Sequence, residues 1–391
     1  TISRTISFLP PGEMEGTLLR DTGYDWWRKI GSPKYVCAPM VRNSELAFRH
    51  LVRRHGATLC YTPMVRCKDF LHTPVGERLD LIEPHPDDRP LIVQFATDNE
   101  DDFIACGIAV QDHCDAIDLN LGCPQEAAVR DHYGACLMEE PDLVRRIVTR
   151  AARELTVPVT VKMRVFDQDD ARTVAFAKML SESGASLVAV HGRTALQTHH
   201  QGECRWEAIG KVKRALDIPV LANGGPIRTV VDVEACLKAT GCDGVMCAIG
   251  LLLNPRLFAC NMDTSRENRL AMLLEYLECA EQHKSTPARA MRDHLQVMLR
   301  DMICPTFYRR NCGCDDHKDL WNMVCSSRAL WTAWQCKQVA LTLAWRLDHP
   351  LKPETPPPPL KAIKLAKGGD MPAWDDDGCL QQVSGSDEDQ P

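Results

Sequence analysis

The chain has 391 residues, 45% hydrophobic and 25% charged, with 19 cysteines and a formal net charge of −7, enough for one large domain and a smaller companion, each with its own core. No run of about 18 apolar residues and no charged-then-apolar leader is present, so neither a membrane span nor a secretory signal is supported, and an intracellular, cytoplasmic protein without a membrane partner is expected. The cysteines are scattered through apolar patterns, which suits buried reduced thiols better than a disulfide framework.

Residues 1–34 lack clear periodicity and form an N-terminal extension in which Trp26 and Trp27 suggest either a docking segment or a loosely packed arm. Eight apolar runs follow, at 35–41, 59–65, 91–96, 116–122, 159–164, 186–192, 219–225 and 244–250, each ending in Pro, Gly or a polar residue. Helical patterns lie between most of them; "SELAFRHLVRRHG" opens with Ser44 as an N-cap and closes on Gly56. Near-continuous apolarity in strands joined by helices predicts a (β/α)8 TIM barrel over 35–265. The second crossover, 66–90, is rich in Pro, Asp and His and is expected as a long irregular loop over the barrel mouth.

From 266 to 349 the strand runs stop and a 3.6-residue apolar period continues, so a C-terminal all-helical domain is expected. Beyond it, 350–391 begins with "PETPPPPLK", an extended Pro-rich linker, and ends in a tail with Asp370, Asp375, Asp376, Asp377, Asp387, Glu388 and Asp389. That tail is expected to be disordered, and it supplies most of the acidity.

Barrel enzymes carry their chemistry at the C-terminal ends of the strands. Polar residues stand there: Gln94 on the third strand, Asn120 and Cys123 at the end of the fourth, Lys162 and Arg164 on the fifth, His191 and Arg193 on the sixth. The seventh and eighth end in "NGG" (223–225) and "AIGLLLNP" (248–255), where barrels bind phosphate through glycine-rich backbone, so a phosphorylated cofactor is implied. No dinucleotide GxGxxG follows a strand, which favours FMN.

The motifs "CAPMV", "CYTPMV", "NLGCPQ", "HYGACLM", "VKMRVF", "HGRT" and "NGG", in this order and followed by a helical domain, resemble the tRNA-dihydrouridine synthase family over roughly 35–345. Members are flavin enzymes that reduce uridine in tRNA with NADPH or NADH, and the wording is nearest the eukaryotic subfamily acting near positions 16 and 17 of the D-loop. The resemblance implies that Cys123 delivers the proton to C5 of uracil while flavin supplies the hydride at C6. A free thiol titrates near ~8.5 and is mostly protonated at neutral pH, as that role needs. Gly122 would allow close backbone approach, and Pro124 stiffens the loop. Cys136, on the same loop, is the rival thiol, with packing as its preferred reading.

By the same resemblance Ala38, Pro39, Met40 and Gln94 line the isoalloxazine ring. His191, Asn223, Gly224 and Gly225 lie toward the ribityl phosphate, and backbone N–H groups near Ala248 and Ile249 hold that phosphate where relatives often have a Gly-Arg pair. Lys162, a lone ammonium inside a barrel, suits an anionic reduced flavin. Asn120 and Arg164 match positions that contact uracil. Tyr133 is assigned to accommodating a base swung out of the tRNA, and Arg193 to a flavin or tRNA phosphate.

In "TPARAMRDHLQVMLRDMI", Thr286 as N-cap and Pro287 as first helical residue predict a helix with Arg289, Arg292, Gln296 and Arg300 on one face and Met291, Leu295, Met298, Leu299 and Met302 on the other. The basic stripe is expected to bind tRNA, by a monomer. Cys304, Cys312, Cys314, His317 and Cys325 are chemically capable zinc ligands, but their spacing lacks a paired CxxC and no metal is expected. Two rival functions are a flavin barrel reductase acting on a free pyrimidine, similar to dihydroorotate dehydrogenase, and a non-catalytic tRNA-binding factor.

Overall fold

β-branched, apolar runs bounded by Pro and Gly form one parallel sheet: β1 (Tyr35–Cys37), β2 (Leu59–Tyr61), β3 (Val65–Arg66), β4 (Leu91–Ala96), β5 (Ala116–Leu121), β6 (Val159–Arg164), β7 (Leu187–His191), β8 (Val220–Asn223) and β9 (Gly244–Cys247). The computed structural model describes residues 21–197, 202–259, 265–283, 285–303 and 333–348. Neighbours run β2-β1-β9-β8-β7-β6-β5-β4, and β2 also pairs with β4 through Cys60↔Leu91 and Tyr61↔Ile92, which closes these eight strands into a (β/α)8 barrel. β3 is a two-residue continuation beside β4. The first two strands are shorter than their apolar runs, because Pro39 and Pro63 follow within two residues and have no N–H for the ladder.

The helices, in chain order, are α1 (Gly23–Lys29), α2 (Leu46–Arg54), α3 (Cys67–His72), α4 (Glu100–Val110), α5 (Glu126–Arg130), α6 (Pro141–Glu154), α7 (Asp170–Glu182), α8 (Trp206–Ala215), α9 (Val230–Thr240), α10 (Ile249–Leu253), α11 (Arg266–Gln282), α12 (Ala288–Ile303) and α13 (Ala333–Asp348). α9 starts on a capping box of Thr229 and Asp232 and stops at Gly241 in the left-handed region (φ 68°). α2 begins one residue later than Ser44 would cap it. Ser44 Oγ instead binds the Met40 backbone N–H at 3.0 Å, and Glu45 occupies the cap position without capping.

The N-terminal ends of the strands are sealed by α1. Trp26 and Trp27 pack against inward residues Val36, Leu59, Ile92, Ala116, Leu187, Leu221 and Met246, and Trp26 Nε1 donates to Asp115 O at 3.1 Å. Of the two readings of this extension, residues 23–29 take the docked one.

The second crossover is more ordered than its composition suggests. It holds α3 and a 3₁₀ segment at Val75–Leu81, and the fully buried Arg49 clamps its end. Arg49 Nε donates to Asp88 at 2.7 Å, and Nη2 donates to the Ile82 and Glu83 carbonyls at 3.1 and 2.9 Å, while Arg53 bonds the other Asp88 oxygen at 2.7 Å.

α11, α12 and α13 pack on one another, and α11 also packs on α2. Buried Glu45 joins the two parts: Tyr276 Oη donates to one carboxylate oxygen at 2.7 Å and His294 Nε2 lies 3.2 Å from the other. α12 starts at Ala288, one residue after the expected position, and the buried Thr286 hydroxyl finds no partner among the described residues, so it is not the cap. The cysteine and histidine cluster at 304–325, the linker and the acidic tail lie outside the described residues.

Candidate active site

β5 runs fully buried to Leu121 and then breaks. The break is made by Asn120, whose Oδ1 accepts from the backbone N–H groups of Gly122 and Cys123, both at 3.0 Å. An amide that captures the two following donors replaces the ladder with a tight turn, which lifts Cys123 out of the strand. Asn120 Nδ2 donates in turn to Gln94 Oε1 at 2.8 Å. Cys123 is half-buried, and burial pushes its thiol up, opposed by a backbone hydrogen bond and the charges of Arg164 and Lys162, so it stays protonated at neutral pH.

Cys123 opens onto a cavity of about 340 Å³ at the C-terminal ends of the strands. The expected cofactor and substrate residues Ala38, Pro39, Met40, Gln94, Asn120, Lys162, Arg164, His191, Arg193, Asn223, Gly224, Gly225, Ala248 and Ile249 all line it. Lys162 has no carboxylate within ion-pair distance among the described residues, and burial, then Arg164, push its ammonium down to about 8. It is paired across the ladder with Asn120, and a β-carbon on Gly122 would lie 3.7 Å from its Nζ, so the amine stands beside the cysteine turn.

The glycine turn after β8 is a concavity that no other residue can form. Gly224 and Gly225 have φ of 92° and 113°, and added β-carbons would come within 2.5 Å of His191 Cδ2 and 2.7 Å of Trp206 Nε1. Asn223 holds the turn from behind by donating to Met246 O at 2.8 Å. This cradle and the unpaired Lys162 fit a phosphorylated flavin.

Two assignments change, those of Tyr133 and the α12 stripe, and Arg164 gains structural partners beside its expected role. Tyr133 does not line the cavity; it is buried with Met64, Ala96, Ala128 and Cys123, behind the thiol. Arg164 is 1% exposed, with Nε bonded to Gly122 O at 2.7 Å and Nη1 to Thr194 O and Gln197 O at 2.7 and 3.0 Å. Those donors brace the loops after β5 and β7, while Arg164 still lines the cavity and its Nη2 makes no protein hydrogen bond among the described residues. The polar face of α12 is no free stripe: Arg289 is exposed, but Gln296 is 2% exposed and Arg292 lies 3.6 Å from buried Asp293. The side chain of Arg300 lies outside the described residues.

The cavity also takes Arg42, Asn43, Met64, Arg228, Asp293 and Val297, which sequence reasoning missed. Arg42 had a signal, since it directly follows the strand-end run "CAPMV". Asp293 and Val297 had none, because which way α12 turns is settled only by its packing on the barrel.

A family model described as dihydrouridine synthase (Dus) matches residues 36–309. The chain belongs to the dihydrouridine synthase family. It is 46% identical over 276 residues to a mouse protein named tRNA-dihydrouridine(16/17) synthase [NAD(P)(+)]-like, covering 70% of this chain and 57% of that one. It is 38% identical to the Schizosaccharomyces pombe tRNA-dihydrouridine(16/17) synthase [NAD(P)(+)], covering 72% and 73%, and 35% identical to that of Saccharomyces cerevisiae, covering 80% and 74%. The chain thus spans little more than half the length of the mouse dihydrouridine synthase relative.

Proposed function

We propose that this chain reduces uridine in the D-loop of tRNA to 5,6-dihydrouridine, with FMN as cofactor and NADPH or NADH as electron donor, acting as a monomer in the cytoplasm. Family membership and the wording of the relatives' names support the reaction, the reductant and positions 16 and 17. Among the described residues no helix is long and apolar enough to cross a membrane. The observation that carries the reading is a protonated thiol, tethered through its own backbone N–H, at the edge of a cavity that also holds a lone lysine and a glycine cradle.

Saturating C5=C6 of uracil takes a hydride and a proton. When bound, reduced flavin supplies the hydride to C6. Cys123 gives its proton to C5 from the opposite side and is left as a thiolate, which Arg164 and Lys162 stabilise by charge until water reprotonates it. With flavin bound, Lys162 would favour negative charge on it, Ala38, Pro39, Met40 and Gln94 would flank the ring, and His191, Asn223, Gly224, Gly225, Ala248 and Ile249 would hold the ribityl phosphate. Asn120 faces the base, and Arg193 sits within reach of a phosphate at the rim.

The test is to incubate the purified yellow protein and NADPH with unmodified tRNA, and separately with free uridine, and to map dihydrouridine. Reduction confined to the D-loop of tRNA is expected. Reduction of the free pyrimidine would favour the reductase alternative, and tRNA binding without any reduction would favour a non-catalytic factor.

A further inference from the structure

Behind the cysteine turn lies a carboxylate that the proposed chemistry does not use. Asp118 stands on β5, paired across the ladder with Gln94 of β4 and Thr160 of β6, and all three are at most 1% exposed. Thr160 Oγ1 donates to Asp118 Oδ1 at 2.6 Å, and Gln94 Nε2 donates to Oδ2 at 2.7 Å. Gln94 Oε1 is thereby turned to accept from Asn120 Nδ2 at 2.8 Å, which leaves Asn120 Oδ1 for the N–H groups of Gly122 and Cys123.

Each amide in this chain could be reversed in isolation, because its two ends are nearly the same size. A carboxylate cannot: it only accepts. We propose that Asp118 is a positioning residue that sets the direction of the chain Asp118–Gln94–Asn120 and so holds the backbone of Cys123 in place. Burial raises the Asp118 carboxyl to about 6, with bonds from Thr160 and Gln94 and the charge of Lys162 opposing the rise, so it is ionised at neutral pH. Buried polar chains of this kind reward complete satisfaction and penalise one reversed member.

The importance of this role rests on the function proposed for Cys123, but the polarity of the chain can be tested separately. Asn120→Asp keeps an acceptor for the two N–H groups but sets a second carboxylate against Gln94, whose single NH2 can serve only one of them. Adding Asp118→Asn reverses the whole chain: the amide introduced at position 118 donates to Gln94 Oε1, and Gln94 Nε2 donates to the carboxylate introduced at position 120. Net charge is unchanged in the double variant. Asp118→Asn alone keeps an acceptor toward Gln94 and a donor toward Thr160.

Two readouts apply to the flavin-loaded protein. One is single-turnover reduction of tRNA uridine; the other is the alkylation rate of Cys123 by iodoacetamide, followed by peptide mass spectrometry with Cys136 as internal reference. Asn120→Asp is expected to slow turnover at least about tenfold and to change Cys123 alkylation several-fold. Asp118→Asn should stay within about threefold of wild type in both readouts, and the double variant should return to that range in Cys123 alkylation. A double variant whose Cys123 alkylation stays as altered as that of Asn120→Asp overturns the inference. Should Asn120→Asp fail to fold, recovery of folding in the double variant reads the same coupling, and no recovery overturns it. If wild type reduces no uridine in tRNA, the proposed function fails, while the alkylation comparison still decides the role of Asp118.

Discussion

Gly134 lies so close to Cys123 that a β-carbon there would sit 2.7 Å from the Cys123 carbonyl oxygen and 2.9 Å from its Cβ, and the neighbouring Ala135 N–H donates to that carbonyl at 2.9 Å. The "HYGA" segment is therefore the back wall of the cysteine turn. Gly134 also has φ of 79°, so Gly134→Ala meets strain as well as backbone contact. It should cost about 1–3 kcal/mol of stability, seen as a lower melting temperature, and slow single-turnover reduction on the order of 100-fold by displacing the thiol. A stable variant with an unchanged rate would show that the wall does not position Cys123.

Removing the thiol itself separates chemistry from binding. Cys123→Ala should lower the single-turnover rate by about 10²–10⁴, the range for loss of a general acid, while flavin content and tRNA affinity hold. Cys136 Sγ already donates to Tyr133 O at 3.2 Å, so Cys136→Ala should leave the rate near wild type. The opposite ranking would transfer the acid role to Cys136.

Much of this arrangement was legible in the sequence, for a physical reason. A lone lysine in "VTVKMR" and a Gly-Cys-Pro at a strand end have few structural uses, so Lys162 and Cys123 declared themselves. The eight strands did so too, because parallel strands buried on both faces must be apolar almost throughout. What could not be seen was where polar atoms are committed. Ser44 carries a side chain suited to a cap, but the Met40 backbone N–H four residues back claims it first, and Arg164 spends Nε and Nη1 on loop carbonyls that the sequence does not announce. Amphipathicity likewise shows that α12 has a polar face, but not that Gln296 and Asp293 on it are buried against the rest of the fold.

His132 bridges two carboxylates from different elements, with Nδ1 2.7 Å from Asp98 and Nε2 2.6 Å from Glu140. Both contacts need an N–H, so the latch is complete only in the imidazolium, and the bonds to Asp98 and then Glu140 raise its pKa. A raised folded pKa means the contribution is full below the unfolded value of about 6.5 and is lost as pH rises through the folded value. The melting-temperature gap between wild type and His132→Ala should therefore shrink as pH is raised from about 6. A gap that stays flat or widens would remove His132 as a latch.

The weld at Glu45 has the opposite pH sign. Burial would raise its carboxyl, but His294 and the Tyr276 hydroxyl overcome this and hold it below the ordinary value. Its contribution is present above about pH 4.3 and fades as pH falls through the lowered folded value. Tyr276→Phe should cost about 1.5–3 kcal/mol, as for a bond to a charged group, and Glu45→Ala about 3–5 kcal/mol, both measured by denaturant unfolding near pH 7. Losses within error of zero for both would mean that the helical part docks by apolar contact alone.

The proposed function calls for positive charge where tRNA phosphates would arrive, and arginines gather at the cavity rim. Arg42 lines the cavity from the β1–α2 loop; burial and then the like charge of Arg289 push its pKa down, with Arg292 adding to that and Asp293 opposing it. Among these four groups three cations face one carboxylate, and Arg289 is exposed. A polyanion that brings phosphates to this point relieves the repulsion, and it does so beside Cys123, where a swung-out base has to enter. Arg42→Glu and Arg289→Glu should each weaken tRNA binding and make its log–log salt dependence shallower by about one unit for each phosphate that is no longer neutralised. Flavin content of Arg289→Glu should match wild type, because that residue does not line the cavity. An unchanged salt slope in both variants would place the tRNA backbone on another surface of the protein.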